Sequence, residues 1–175
     1  NHSSTNAELE WAADAGGKIL QVVASTPTTT ELSTNESNNL IDTGLSQAIT
    51  PTATTSHFII HVSHQIAITY GSGTSAGIDI SLLRDKPSAN TTIFAGMDNG
   101  SGPTEFFWQP GGGNPDWMSM RYNVTWYDDP NLSNLNAVTY KTRARLQDGS
   151  ATLYINKDAD VDGKSWMIIY EVAAS

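Results

Sequence analysis

The feature that most constrains this chain is a period of two in its apolar residues. Between His57 and Tyr70, the side chains of Phe58, Ile60, Val62, Ile66, Ile68 and Tyr70 fall on one side of an extended backbone. Ile78, Ile80 and Leu82 repeat the pattern, and so do Met118, Met120, Tyr122, Val124 and Trp126, opposite Ser119, Arg121, Asn123 and Thr125. Val138, Tyr140, Thr142, Ala144 and Leu146 alternate with Lys141, Arg143 and Arg145, and Trp166, Ile168, Tyr170 and Val172 close the chain in the same way. Successive side chains of a strand point to opposite faces, so this alternation predicts sheets with one buried and one wet face.

The remaining residues agree with strands rather than helices. Gly, Ser, Thr and Asn dominate the polar positions and only 15% of residues are charged, which starves long helices of their usual formers. Weaker strand candidates lie at 18–24, 41–50, 92–97 and 151–155. Turn chemistry separates the segments, at Gly71-Ser-Gly73, Asp98-Asn-Gly100, Gly111-Gly-Gly-Asn114, Asp148-Gly149 and Asp162-Gly163. The expectation is an all-β, antiparallel β-sandwich or jelly roll in a single domain. Residues 1–17 carry only Leu9 and Trp11 as apolar anchors and read as an entry arm or neck, leaving 18–175 for the sandwich. Residues 98–116 read as a long loop with one short strand at 105–109.

Charge and cysteine content exclude several classes. Nine basic residues against eighteen acidic ones leave a net charge of -9. A nucleic-acid groove needs clustered cations to displace counterions from phosphate, and an anionic membrane needs the same attraction. The only local cluster, Lys141, Arg143 and Arg145, falls on one face of one strand and reads as a solvated stripe. There is no cysteine, so neither a disulfide scaffold nor a thiolate zinc site is available.

Candidate chemistry is thin. Gly73-Thr-Ser75-Ala-Gly77 matches the spacing of a nucleophile elbow, but a strand pattern follows where the elbow needs a helix, and every histidine precedes Ser75. It reads as a hairpin turn. His57 and His61 lie about 13 Å apart on one face of an extended strand and His64 points to the other, so one chain cannot gather all three on one metal. Asp158, Asp160 and Asp162, followed by Gly163, resemble the first half of a calcium loop, since alternate oxygen ligands before a turn suit a large hard cation. Ile169 stands where a bidentate Glu belongs, so an EF-hand is rejected; a looser calcium site stays open. The bland alternative is a solvated acidic loop. Glu105, Asp116, Asp128 and Asp129 supply the residue type for glycoside cleavage, but nothing in the sequence fixes any pair at the separation that such chemistry needs. The strongest binding signal is aromatic: Phe106, Phe107, Trp108 and Trp117 beside a Gly- and Pro-rich stretch, suited to stacking on a sugar or receptor or to packing at a subunit interface.

Several segments together resemble a known family. They are Gly17-Lys-Ile-Leu-Gln-Val-Val23, Ile41-Asp-Thr-Gly-Leu-Ser46, Ile49-Thr-Pro51, Ile80-Ser-Leu-Leu-Arg-Asp85, Val138-Thr-Tyr-Lys-Thr142, Ala151-Thr-Leu-Tyr-Ile-Asn156 and Met167-Ile-Ile-Tyr-Glu-Val172. They look like the C-terminal head domains of bacteriophage tail or virion fibres, of the marine type. The resemblance implies a homotrimeric β-structured head on a virion, joined to the rest of a fibre and attaching to a host-surface glycan or protein without catalysis. It implies no site residues, because the shared segments are strand-core signatures. The alternative within the same resemblance is a structural piece that caps or trimerises a fibre or decorates a capsid. The chain starts at Asn1 rather than Met, which fits a segment trimmed from a longer protein.

Overall fold

A computed structural model describes residues 18–35, 39–70, 76–86, 89–94, 106–108, 117–146, 151–158 and 161–174. They form β1 (Ile19–Ala24), β2 (Leu32–Thr34), β3 (Ile41–Ile49), β4 (His57–Tyr70), β5 (Ala76–Lys86), β6 (Ala89–Phe94) and β7 (Phe106–Trp108). These are followed by β8 (Trp117–Asp128), β9 (Val138–Leu146), β10 (Ala151–Ile155), β11 (Lys157–Asp158), β12 (Val161–Asp162) and β13 (Trp166–Val172). The expected arm at 1–17 lies outside the described residues.

Two antiparallel sheets pack face to face. In the six-stranded sheet, β4 is the hub. β8 runs along one of its edges from Phe58 to Thr69, while β13 and β10 share the other edge end to end, with β1 outside β13 and β2 outside β10. In the five-stranded sheet the order is β3-β9-β5, with β6 and β7 end to end on the far edge of β5. Counting each end-to-end pair as one strand and setting aside the β11–β12 hairpin leaves eight. Numbered along the chain, one sheet runs first-eighth-third-sixth and the other second-seventh-fourth-fifth. That is jelly-roll connectivity: the chain crosses between sheets at nearly every turn and pairs its first strand with its last.

The core lies between the sheets, where the alternation in β4, β5 and β9 placed it. Phe58, Ile60, Val62, Ile66, Ile68, Ile78, Ile80, Leu82, Val138, Tyr140 and Leu146 are all buried. On β8, Trp126 is buried and Met118, Met120, Tyr122 and Val124 pack half-buried against the same core. β13 reverses the expectation. Its inward residues are Met167, Ile169 and Glu171, and Trp166, Ile168, Tyr170 and Val172 face outward. Both parities of this strand are apolar, so periodicity alone cannot choose a face; the ladder chooses, setting Met167 beside Val62 and Ile169 beside Ile60.

Glu171 can turn inward because its carboxylate is fully hydrogen-bonded. It accepts from the Thr52 amide (2.7 Å), the Thr52 hydroxyl (2.8 Å), the Ser56 hydroxyl (2.5 Å) and the Gln21 amide (2.5 Å). Burial pulls its pKa upward, but the bonds from Ser56, Gln21 and Thr52 outweigh that and hold the carboxyl below its ordinary value. A second buried polar group sits between the sheets, where Arg84 donates to both oxygens of Asp128 (2.6 Å each) and the Tyr140 hydroxyl donates to Asp128 (2.7 Å). Burial and the Asp128 carboxylate push the Tyr140 phenol far above its ordinary value, so it stays a donor.

The basic stripe of β9 is half-buried rather than freely solvated. Arg145 pairs with the buried Asp79 (2.9 Å), Lys141 reaches Asp85 (3.6 Å) and Arg143 donates to the Leu40 carbonyl. Its charge is committed within the five-stranded sheet, which leaves no phosphate track there.

Candidate binding face

Among the described residues, the outer face of the six-stranded sheet departs most from the usual pattern. An antiparallel sheet with one buried face normally alternates apolar-in and polar-out. Here apolar and aromatic side chains point outward too. Val22, Tyr170, Ile59 and Tyr127 form one cross-strand row over β1, β13, β4 and β8. Ala24, Ile168, His61 and Thr125 form the next, and Trp166, Ser63 and Asn123 a third. Ile19, Val172 and His57 extend the surface at the opposite end. Ile19 (53%), Val22 (52%) and Tyr127 (62%) are more than half exposed, so this is a surface and not a second core.

Ring contacts order it. His57 stacks on Tyr127 with centroids 5.5 Å apart, and its Nδ1 lies 3.3 Å from the Asp129 carboxylate. His61 packs against Trp166 at 5.2 Å, while its Nδ1 meets the Thr125 hydroxyl at 2.8 Å. Beyond Trp166, Arg121 donates to the Ser63 hydroxyl (3.0 Å) and to the Lys164 carbonyl (2.9 Å). The two outward histidines serve separate ring pairs. Among the described residues, no three His, Cys, Asp or Glu side chains gather around a common metal position.

A ridge crosses this face. After β10 the chain leaves the ladder at Asn156, which adopts a left-handed φ of 64°, makes the β11–β12 hairpin, and returns at Gly163, whose amide donates to the Asn156 carbonyl (2.8 Å). The hairpin is thus an insertion between the two halves of the eighth jelly-roll strand. It lies against the outer face: a Cβ on Gly163 would stand 2.3 Å from Gln65 Cγ. Past the ridge, Trp117 and Tyr154 pack at 4.9 Å and Lys157 Nζ sits over both rings, 5.5 and 4.8 Å from their centroids, paired to Glu31 at 3.0 Å.

The structure distributes the sequence candidates as follows. Trp117 belongs to this outer face, on β8 beside Thr69. Phe106, Phe107 and Trp108 form β7, paired with the start of β5 at Ile78, Gly77 and Ala76. They occupy the same end of the sandwich as Trp117 but the other sheet. Asp158 and Asp162 belong to the hairpin, where Asp158 pairs with Val161 and Asp162 with Lys157, and Asp160 lies outside the described residues. The outward row of Trp166, Tyr170, Ile59, Tyr127, His57 and His61 was missed. Its signal was present in the doublets Val22-Val23, Ile59-Ile60 and Ile168-Ile169, which are apolar on both faces of strands that have only one core to fill.

One cluster has the composition of a catalytic site without its access. His64 lies between the sheets, with Nδ1 3.0 Å from the Ser165 hydroxyl and Nε2 2.9 Å from the Thr142 hydroxyl. Thr43 donates to the Thr142 carbonyl (3.1 Å), so in the 2.6 Å contact between the two threonine hydroxyls Thr142 is the donor. Thr142 therefore accepts from His64 Nε2–H, and Nδ1 accepts from Ser165. Burial, aided by the Arg121 charge, pushes the imidazole down to about 3. Ser165, His64 and Thr142 are all 0% exposed, so no substrate reaches the serine. The chain of hydroxyls ties the sheets together. In comparisons with known proteins, no family model and no curated protein matches this chain.

Proposed function

We propose that this domain is a non-catalytic attachment head of the kind that ends a bacteriophage fibre, holding a host surface through the outer face of its six-stranded sheet. The observation that carries the reading is the continuous, half-exposed row of rings and aliphatic side chains over β1, β13, β4 and β8. Rigid rings offer large contact area at small entropic cost, and a flat sheet suits an extended surface ligand rather than a small enclosed substrate. The segment resemblance to fibre heads supports the same reading. Jelly rolls recur in capsid and lectin domains, which is a fold-level analogy and carries less weight. As a homotrimer on a virion, several weak faces engaging together would give firm attachment.

A second reading, a cap that assembles the fibre, is favoured by the exposure of Ile19 and Val22 at the β1 edge. One experiment separates the two. Tyr127→Ala and Trp166→Ala are expected to lower binding to host cells by about tenfold or more, with unchanged melting temperature and unchanged mass by light scattering. Binding that stays at the wild-type level, or mass that falls with the substitutions, overturns the attachment reading in favour of the cap.

A further inference from the structure

The charge on the outer face points to an acidic glycan as the ligand, a sugar chain bearing carboxylate or another anionic group; this inference rests on the attachment reading above. The chain holds nine Lys and Arg residues against eighteen carboxylates. Most of its cations are committed internally: Arg84 to Asp128, Arg145 to Asp79, Lys141 to Asp85, Lys157 to Glu31, and Arg143 to a backbone carbonyl. Three exposed cations differ, since among the described residues none has a carboxylate partner. One is Lys18, whose carbonyl accepts from Ala173 at the far end of β13 from Trp166. The others are the neighbouring Arg121 and Lys164, joined by the bond from the Arg121 guanidinium to the Lys164 carbonyl.

Their position matters as much as their charge. Arg121 pairs with Gln65 on β4, one outward step from Ser63, and Ser63 is the cross-strand neighbour of Trp166. Strand spacing puts the guanidinium and the indole within roughly 10 Å of each other on one face. The Trp166–His61 pair offers a ring platform. The exposed Asn123 and Thr125 supply amide and hydroxyl groups beside it, and Arg121 with Lys164 supplies positive charge at one side, backed by the hairpin ridge. A pyranose presents apolar C–H faces to rings and hydroxyls to hydrogen-bonding side chains, and an anionic substituent adds a charge-assisted contact. On a chain of net charge -9, two exposed cations side by side on the ring face give an anionic polymer a local attraction that the rest of the chain's charge opposes.

The test is titration of the whole chain with three defined oligosaccharides of equal length, one uronic-acid-containing, one sulfated and one neutral, using wild type, Lys164→Gln and Arg121→Gln. Lys164→Gln alters only an exposed side chain, so it keeps the test valid should Arg121→Gln disturb the fold. Binding of one or both acidic sugars, weakened about tenfold by either variant while the neutral sugar binds poorly throughout, is the expected result. Equal binding of neutral and acidic sugars, untouched by the variants, overturns the inference and leaves the attachment reading standing. Ring-dependent adsorption to host cells with no sugar bound overturns it in favour of a protein receptor. Self-association through this face with neither sugar binding nor adsorption overturns both.

Discussion

Of the three histidines on β4, only His64 turns between the sheets, where both ring nitrogens are taken by hydroxyls and no carboxylate offsets a positive charge. Its pKa of about 3 in the folded chain lies below the ordinary 6.5, so the unfolded chain binds a proton that the folded one refuses. Stability therefore falls as pH drops from 6.5 toward 3, by about 1.4 kcal/mol for each pH unit within that window. Denaturant titrations between pH 7 and 5 are expected to show this slope in the wild type and its loss in His64→Gln. Glu171 acts in the same direction but only below its unfolded pKa near 4.5, so the interval above pH 5 isolates the histidine. The parity of His64 with Val62 and Ile66 was readable in the sequence. Its partners were not, because Thr142 and Ser165 lie 78 and 101 residues away and only the packed sheets bring them together.

Among the elements, the long alternating strands were legible and the doubly apolar ones were only half legible. β4, β5, β8 and β9 each have a polar parity that names the wet side. β13 is apolar on both faces, and its expected faces are inverted because Glu171, its one charged residue, turns inward onto four hydrogen-bond donors. The β11–β12 hairpin was hidden for another reason: Asp158, Asp160 and Asp162 with Gly163 share the composition of any acidic turn, and nothing local says that the turn folds back over Gln65. Gly163 is where that contact is tightest. Gly163→Ala is expected to cost about 1–3 kcal/mol through overpacking, read as a fall of several degrees in melting temperature. Adding Gln65→Ala should recover part of the loss. A full-strength melting temperature in the single variant would mean the hairpin does not press on the sheet.

For the molecule as a whole, the sequence announced paired sheets but not which strands neighbour one another, since alternation says which side is buried and nothing about partners. The jelly-roll order joins β1 to β13, and the Lys18 carbonyl accepts from the Ala173 amide at 2.9 Å. Gln21 and Glu171, bonded side chain to side chain across this seam, are 150 residues apart in the chain. Closing so large a loop is entropically costly, and folds dominated by such contacts are slow to form. A circular permutant, with residue 174 linked to residue 18 and the chain reopened between Ser133 and Asn134, would turn the most distant ladder of the domain into a simple hairpin. It is expected to reach the same cooperative melt while refolding faster than the natural order. Unchanged or slower refolding would mean that the seam between the first and last strands does not limit how quickly this sandwich assembles.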